Sequence, residues 1–430
     1  MTMHADTTYY RDTAHSRVYP AVSGRHEVKV CVVGAGFAGL NAALGLVERG
    51  VRDVLVLDAQ GPGFGASGRN GGFVFAGFSR GEDRLLADLG PSRARALYRG
   101  TTDAVALIRK RVGQYAIDCD ALDAGVLWVN WFRDRKVLAS RQRLLAEHFD
   151  SHWQWLDAAQ VQQRVHSARY HDALFEPAAL HLHPLNYALG IADAAIRQGA
   201  RVHGDSPALA LARHGSGWRV TTPDAQIDAE QVVLACGGYL AGLLRRVDAA
   251  VLPIATYVMV TAPLGSRMAD VLSTQAAVYD TRFAFDYYRP LLDTRLLWGG
   301  RISVLDRSPQ AVRRVLYRDL LKVFPQLDGI GVDYAWSGLM SYARHEMPQI
   351  GEIEPGLWLA QAFGGHGVAP TTFAGELVAA AIAEGDSRWR ELDDYGLVSA
   401  FKPVGFVGAQ LGYAWLQFRD ACKDWCERIV

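Results

Sequence analysis

The sequence predicts a mixed α/β (α+β overall) fold: one discontinuous domain on a mainly parallel sheet, and a second domain on a largely antiparallel sheet. Three observations carry this reading. The chain has 430 residues, more than one hydrophobic core usually serves. A strand–glycine–helix style occurs near the start, in the middle and near the end, with different material between. From about residue 250 to 305 the pattern changes to apolar/polar alternation, as in half-buried antiparallel strands.

Taken in order, residues 1–26 are polar and aromatic without a period and read as an arm laid over the surface. "EVKVCVVGAG" is a buried strand running into glycines. "FAGLNAALGLVERG" is a helix with Leu40, Ala43, Leu44 and Val47 on one face and Gly50 as its stop, and "VRDVLVLDA" is the next strand. Residues 81–159 look mostly helical, interrupted by a strand or hairpin at "IDCDALDAGVLWVNW". "HPLNYALGIADAAIRQGARVHGD" is helix then strand, and "GWRVTTPDAQIDAEQVVLACGG" is a hairpin followed by a buried strand. "TYVMVTAPL", "AVYDTRFAFDYYRPL" and "RLLWGGRISV" form the alternating sheet, and "RRVLYRDLLKVFPQL" is a helix. "LWLAQAFGGHGVAPTTFAGELVAAAIAEGD" returns to strand, glycine turn and helix, and residues 386–430 are a helical tail. Residues 27–80, 160–245 and 330–385 are therefore expected to form the first domain, and residues 81–159 and 246–329 the second.

Composition excludes several classes. Lysine plus arginine and aspartate plus glutamate balance at 45 each, so no net field favours nucleic acid or an anionic surface. Five dispersed cysteines, an odd number, argue against a disulfide framework and for a reducing cytoplasm. Cys422 and Cys426 have helical spacing but lack the two further ligands a zinc site needs, so no metal is expected. The N-terminus does not read as a signal peptide, and no run approaches the ~18 apolar residues of a membrane span.

Three glycine clusters carry the chemistry. Gly34-Ala35-Gly36-Phe37-Ala38-Gly39 lies between strand and helix. Gly34 allows the turn, Gly36 admits a pyrophosphate, and Gly39 permits close packing. Phosphates would sit at the helix N-terminus, with Asp58 and Ala59 at the next strand end facing a ribose. This is a Rossmann-like dinucleotide site. "GFGASGRNGG" follows the acidic strand. NAD needs no such second loop, whereas the longer FAD does, with Ser67, Arg69, Asn70, Gly71 and Gly72 along phosphate and ring. "FGGHGVAPTT" supplies Gly364, Gly365, His366, Gly367 and Val368, and a helix expected to begin near Thr371. Such a helix start stabilises negative charge on a reduced flavin. His366 reads either as a catalytic group or as a turn histidine bonded to backbone.

Together with "HLHPLNYALGIADAA" and "YDTRFAFDYYRPLLDTRLLWGGR", these motifs resemble the D-amino-acid-oxidase-like FAD oxidoreductases, and within them the γ-glutamylputrescine and L-pipecolate oxidase group. The resemblance covers nearly the whole chain. It implies FAD held by Gly34, Gly36, Gly39, Asp58, Ser67 and the Gly365–Val368 turn, with Ala208, Cys236 and Gly237 near the adenine. Cys236 stands where threonine is usual. No cysteine precedes the C-terminal glycine turn, so the FAD is expected to be non-covalent. The resemblance further implies oxidation of a C–N bond of an amino acid, imino acid or amine, with hydride passing from the α-carbon to flavin N5. It places a tyrosine of the "YYR" element at the flavin. Strand alternation sets Phe283, Phe285 and Tyr287 against Asp286 and Tyr288, and Tyr288 is the one chosen. Arg344 is the candidate cation for a substrate carboxylate, which tilts the substrate toward a cyclic L-amino acid such as L-pipecolate over a γ-glutamyl polyamine. Arg289 reads as a structural ion-pair partner. Oxygen is the expected acceptor. A quinone is the rival, because Leu411, Trp415, Phe418, Cys422 and Trp425 share one helical face. That face is expected to pack against the body; otherwise it touches a membrane or partner.

Overall fold

Runs of β-branched residues buried on both faces place "VCVV" and "VLVL" in the middle of a parallel sheet. The computed structural model describes residues 7–15 and 17–429. Residues 1–6 and Ser16 of the expected arm, and Val430 of the tail, lie outside the described residues. The first sheet runs in the order Gln349–Glu354, Leu357–Gln361, Ala225–Leu234, Gly24–Val33, Val54–Leu57, Arg201–His203. Its neighbours are parallel except for the first pair. The hairpin strands Ala210–His214 and Gly217–Thr221 add to Ala225–Leu234 in antiparallel fashion.

Helices Phe37–Glu48 and Val368–Glu384 pack against each other beside this sheet, and both are largely apolar all round, as doubly covered helices must be. The long helical segment Glu82–Gln114, broken at Gly90, adds to the same core. Arg111 locks the three together. Its fully buried guanidinium donates to Glu48 of the first helix, to Glu376 of the second, and to Asn41 Oδ1 at 2.7 Å. A buried cation with two carboxylates and a third acceptor is satisfied at every side, which is what makes its burial tolerable.

The second sheet runs Val332–Tyr342, Leu252–Thr261, Leu296–Ser303, Tyr287–Pro290, Ala277–Asp280, Val126–Val129, Ala173–Glu176, Gln154–Leu156. Only the Ala277–Asp280/Val126–Val129 pair is parallel. The segment read as one alternating strand, "AVYDTRFAFDYYRPL", is instead a hairpin, Ala277–Asp280 turning back into Tyr287–Pro290. The turn is held by charge. Arg282 Nε donates to Asp280 Oδ1 at 2.9 Å and its Nη2 reaches both Asp280 and Asp286, a local pairing that strand periodicity does not reveal.

Two expectations fail at the ends of the chain. The arm is not merely draped over the surface. Tyr9 and Tyr10 are buried, and the Tyr10 ring sits 4.8 Å from His183 and 5.5 Å from Trp336. Two aromatic rings gain more by insertion than a polar arm gains by lying outside. The tail helix Val404–Ile429 docks by its polar side. Asp420 accepts from Phe283 N at 2.7 Å, Gln410 accepts from Val304 N at 3.2 Å, and Asp424 pairs with Arg169. Its apolar stripe faces outward, with Leu411, Trp415, Phe418 and Trp425 all exposed. The expected packing of that stripe against the body does not occur, because anchoring hydrogen bonds rather than apolar contact fix the rotation of the helix. Among the described residues, no helix is long and apolar enough to cross a membrane.

Candidate functional site

A cavity of about 1270 Å³ runs between the two sheets. It exceeds the ~300–1,000 Å³ of ordinary small-molecule pockets. All three glycine clusters reach it. Gly34, Gly36, Phe37, Ala38, Asp58, Ala59, Ser67, Arg69, Asn70, Gly71, Ala208, Cys236, Gly237, Gly364, Gly365, His366, Gly367 and Val368 line it, although they are scattered across more than 300 positions of sequence. Gly39 and Gly72 do not line it; they make the lining possible. A Cβ on Gly39 would lie 1.9 Å from the Gly34 carbonyl oxygen, and one on Gly72 would lie 2.0 Å from that of Leu182. Both are close backbone approaches that only glycine permits.

The strand ends are tied to one another through Asp58. Its carboxylate accepts from the backbone of Ala35 at 2.8 Å and of Gln60 and Gly61 at 2.9 Å. Burial pushes its carboxyl above the usual range, while these three donors pull the other way. Ser67 Oγ accepts from Phe37 N at 2.9 Å, so the second glycine loop is pinned to the start of the first helix. Asn70 closes that loop on itself, donating to Ala66 and Ser67 carbonyls and accepting from Gly72 N. Arg69 donates to the carbonyls of Phe64 and Ser337. Cys236 donates its thiol to the Val33 carbonyl at 3.3 Å, and burial pushes that thiol up to about 12.

Arg289 is buried beneath the glycine loop. It donates to the carbonyls of Gly71 and Leu182, each at 2.8 Å, and to the Tyr10 hydroxyl at 3.3 Å. Its partners are backbone carbonyls, the phenol and the His181 ring at 3.4 Å, not the carboxylate an ion-pair role requires. The arginine and the N-terminal plug therefore brace the loop from behind.

The opposite wall is aromatic and charged. Tyr279, Phe283, Phe285, Tyr287, Tyr342 and Tyr413 line it, with Glu82, Arg141, Arg301, Met340 and Glu346. The expected Tyr288 is not among them. It is fully buried behind the sheet, stacked on Trp298 at 4.7 Å. Tyr287 takes the place instead, its ring lodged where a Cβ on Gly71 (2.6 Å) or Gly299 (2.0 Å) would be. Sequence alternation sorted the faces correctly, but not which face meets the cavity. Arg344 is exposed, its guanidinium 5.3 Å over the Phe401 ring, away from the cavity wall. Glu346, two residues further on, pairs with Arg84 at 3.0 Å. His366 lines the cavity as a turn histidine. Its Nε2–H donates to the Phe75 carbonyl at 3.0 Å, and burial holds its imidazole down to about 4, so it is neutral.

Sequence reading missed Arg141. It lies half-buried between Trp128 (4.8 Å) and Trp153 (5.0 Å) and donates to Glu82 Oε1 at 2.8 Å. Glu176 lies close by, and burial pushes it up to about 8 against the pull of Arg141. In "ASRQRLLAEHF" Arg141 looks like any surface arginine; only the tryptophans that receive it from elsewhere in the chain mark it out.

A dinucleotide with two phosphates and a flat ring fits this site. Two helix N-termini open on the cavity, at Phe37 and Val368, and the N-cap residue of each is a glycine with no side chain to cap it. Their positive ends suit a diphosphate and the electron-rich edge of a flavin. The fold and site thus define a dinucleotide-binding oxidoreductase. The FAD dependent oxidoreductase family model matches residues 29–381, and the chain belongs to that family. It is 34% identical to the gamma-glutamylputrescine oxidoreductase of Escherichia coli over 88% of this chain and 89% of that one. It is 30% identical to the probable oxidoreductase OrdL of Haemophilus influenzae over 97% of each. Among solved structures, glycine oxidase from Geobacillus kaustophilus superposes with a TM-score of 0.72 at 21% identity, covering 87% of this chain and 99% of that one. L-proline dehydrogenase from P. horikoshii does so with 0.72 at 18%, covering 87% and 100%. At those identities the structural likeness speaks for the fold. The enzyme is an FAD-dependent oxidoreductase.

Proposed function

We propose that this enzyme oxidises the C–N bond of an amine borne on a flexible chain, a γ-glutamyl polyamine being the best-fitting substrate class. One observation carries the choice: Arg141, the half-buried cation of the aromatic wall, is already paired with Glu82. Arg301 likewise holds Asp319 through two bonds of 2.7 Å. The carboxylate of an α-amino acid would have to share one of these arginines with the carboxylate it already holds. The argument for L-pipecolate rested on Arg344, which does not reach the cavity.

What the wall offers instead suits an alkylammonium. Tyr279, Phe285, Tyr287 and Tyr342 supply ring faces, and Glu82 and Glu346, each of which also pairs with an arginine, supply carboxylate acceptors. The likeness to the gamma-glutamylputrescine oxidoreductase of Escherichia coli, 34% identical, supports the same class. FAD, when bound, supplies the two-electron acceptor. The glycine segments would hold it without covalent attachment, Tyr287 and Phe285 would orient the substrate carbon, and the aromatic wall would exclude water. We take oxygen as the final acceptor, with a quinone as the alternative.

Anaerobic addition of γ-glutamylputrescine, simple diamines, L-pipecolate, L-proline and glycine to the yellow holoenzyme tests the proposal. Polyamine derivatives are expected to bleach the flavin. Bleaching by the amino acids alone would reject it. Oxygen consumption without added membranes supports oxygen as acceptor.

A further inference from the structure

The outward stripe of the tail helix has a symmetry of its own. Val404, Val407, Leu411, Phe418, Cys422 and Trp425 sit on the exposed side of Val404–Ile429, with Ala414 and Trp415 at the centre. Their spacing reads the same in both directions about that centre. Turned end for end, the helix places Val404 against Trp425, Val407 against Cys422, and Leu411 against Phe418. From these features we infer that the face is a self-complementary docking surface, and that a second copy of this chain covers it by antiparallel pairing about a two-fold axis.

Area and charge favour a second copy over other occupants. Phe401, Val404, Val407, Leu411, Trp415, Phe418 and Trp425 keep 60–72% of their surface exposed. That is on the order of 900 Å² of apolar area, close to the ~800 Å² per partner of a stable interface. Gly408, Gly412, Ala414 and Ala421 are exposed beside these large residues, and Trp415 meets Ala414 across the axis. Arg419 is the one charged residue among the exposed positions described on this helix. A surface helix that binds lipid carries a basic polar face; here the polar side bears Asp420, Asp424 and Glu427 and is turned into the body.

The pairing would reach the cavity. On the inner side of the same helix, Tyr413 lines the cavity with its ring 5.8 Å from Phe283, and Asp420 accepts from Phe283 N. A second copy pressing on the outer side would hold the Phe283–Phe285 turn, and with it the mouth of the cavity. This inference does not depend on which amine is oxidised.

Sedimentation of the holoenzyme across the micromolar range is expected to give twice the mass of one chain. Trp415→Glu/Phe418→Glu is expected to give one chain's mass, with flavin retained and KM raised several-fold. Loss of flavin would mark misfolding, and Trp425→Lys, at the end of the stripe, is then read in its place. In a Cys422→Ser/Cys426→Ser background, Val404→Cys/Trp425→Cys is expected to cross-link two chains on oxidation. A wild-type monomer, a charged variant that still dimerises, or a monomer that floats with phosphatidylcholine vesicles would each overturn the inference.

Discussion

The two walls of the cavity are built on opposite principles. The cofactor wall is bare backbone: glycines, amide groups and two helix ends, with side chains such as Asp58, Ser67 and Asn70 spent on tying loops together. The substrate wall is all side chain: tyrosines, phenylalanines and the Glu82–Arg141 pair, on strands and helices brought from distant parts of the chain. A diphosphate and a flat ring can be met by amide groups and bare backbone. An amine is met by carboxylates and ring faces, which only side chains supply.

The largest expected effect breaks the backbone wall. Gly39→Val would press a side chain into the Gly34 carbonyl, where even a Cβ would sit at 1.9 Å. We expect colourless protein, read from flavin absorbance after purification. Next comes Arg289→Met, which leaves the Gly71 and Leu182 carbonyls unpaired in a buried site. At about 1–3 kcal/mol for each orphaned group, thermal denaturation should show a clear loss of stability, and FAD should bind more weakly.

On the side-chain wall, Glu82→Gln keeps an oxygen for Arg141 but removes a negative charge from the cavity. KM for a cationic amine is expected to rise about tenfold, the ~1.4 kcal/mol of one charge-assisted contact. Flavin content should not change. The smallest effect is expected of Arg344→Ala: kinetics unchanged within error, because the side chain is exposed away from the cavity.

Protonation separates the two regions as well. Burial holds His366 down to about 4, and His181 and His183 down to about 3. Each takes up a proton in the unfolded chain, near pH 6.5, before it does so in the folded one. Their contribution to stability is full above about pH 6.5 and is lost progressively as pH falls toward 3–4. Melting temperature should therefore drop with acidification through that window, and less steeply in His183→Gln. Glu176 has the opposite sign. Raised to about 8, it favours the folded state below its ordinary carboxylate range, and that contribution is lost as pH rises through 8.

This contrast also explains what could be read in the sequence. The parallel sheet, the three glycine clusters and Asp58 were legible because backbone approach demands glycine at fixed spacing beside a strand. The antiparallel sheet was legible from alternation, as was the grouping of Phe283, Phe285 and Tyr287. Which face met the cavity was not, since Tyr287 and Tyr288 differ only in what the rest of the fold packs against each. Arg141 was invisible because its environment, Trp128 and Trp153, comes from other elements. Arg344 misled for the same reason: a lone arginine after a strand carries no sign of where it points. The outward stripe of the tail was seen as a stripe, but its direction depends on Asp420 and Asp424 finding partners far away in sequence.

The most direct test of the two-wall account is anaerobic reduction of the holoenzyme, comparing γ-glutamylputrescine with L-pipecolate in the wild type, Glu82→Gln and Arg344→Ala. The account predicts bleaching by the polyamine derivative, weakened half-saturation in Glu82→Gln, and no change in Arg344→Ala. Reduction by L-pipecolate alone, lost in Arg344→Ala and indifferent to Glu82, would contradict it.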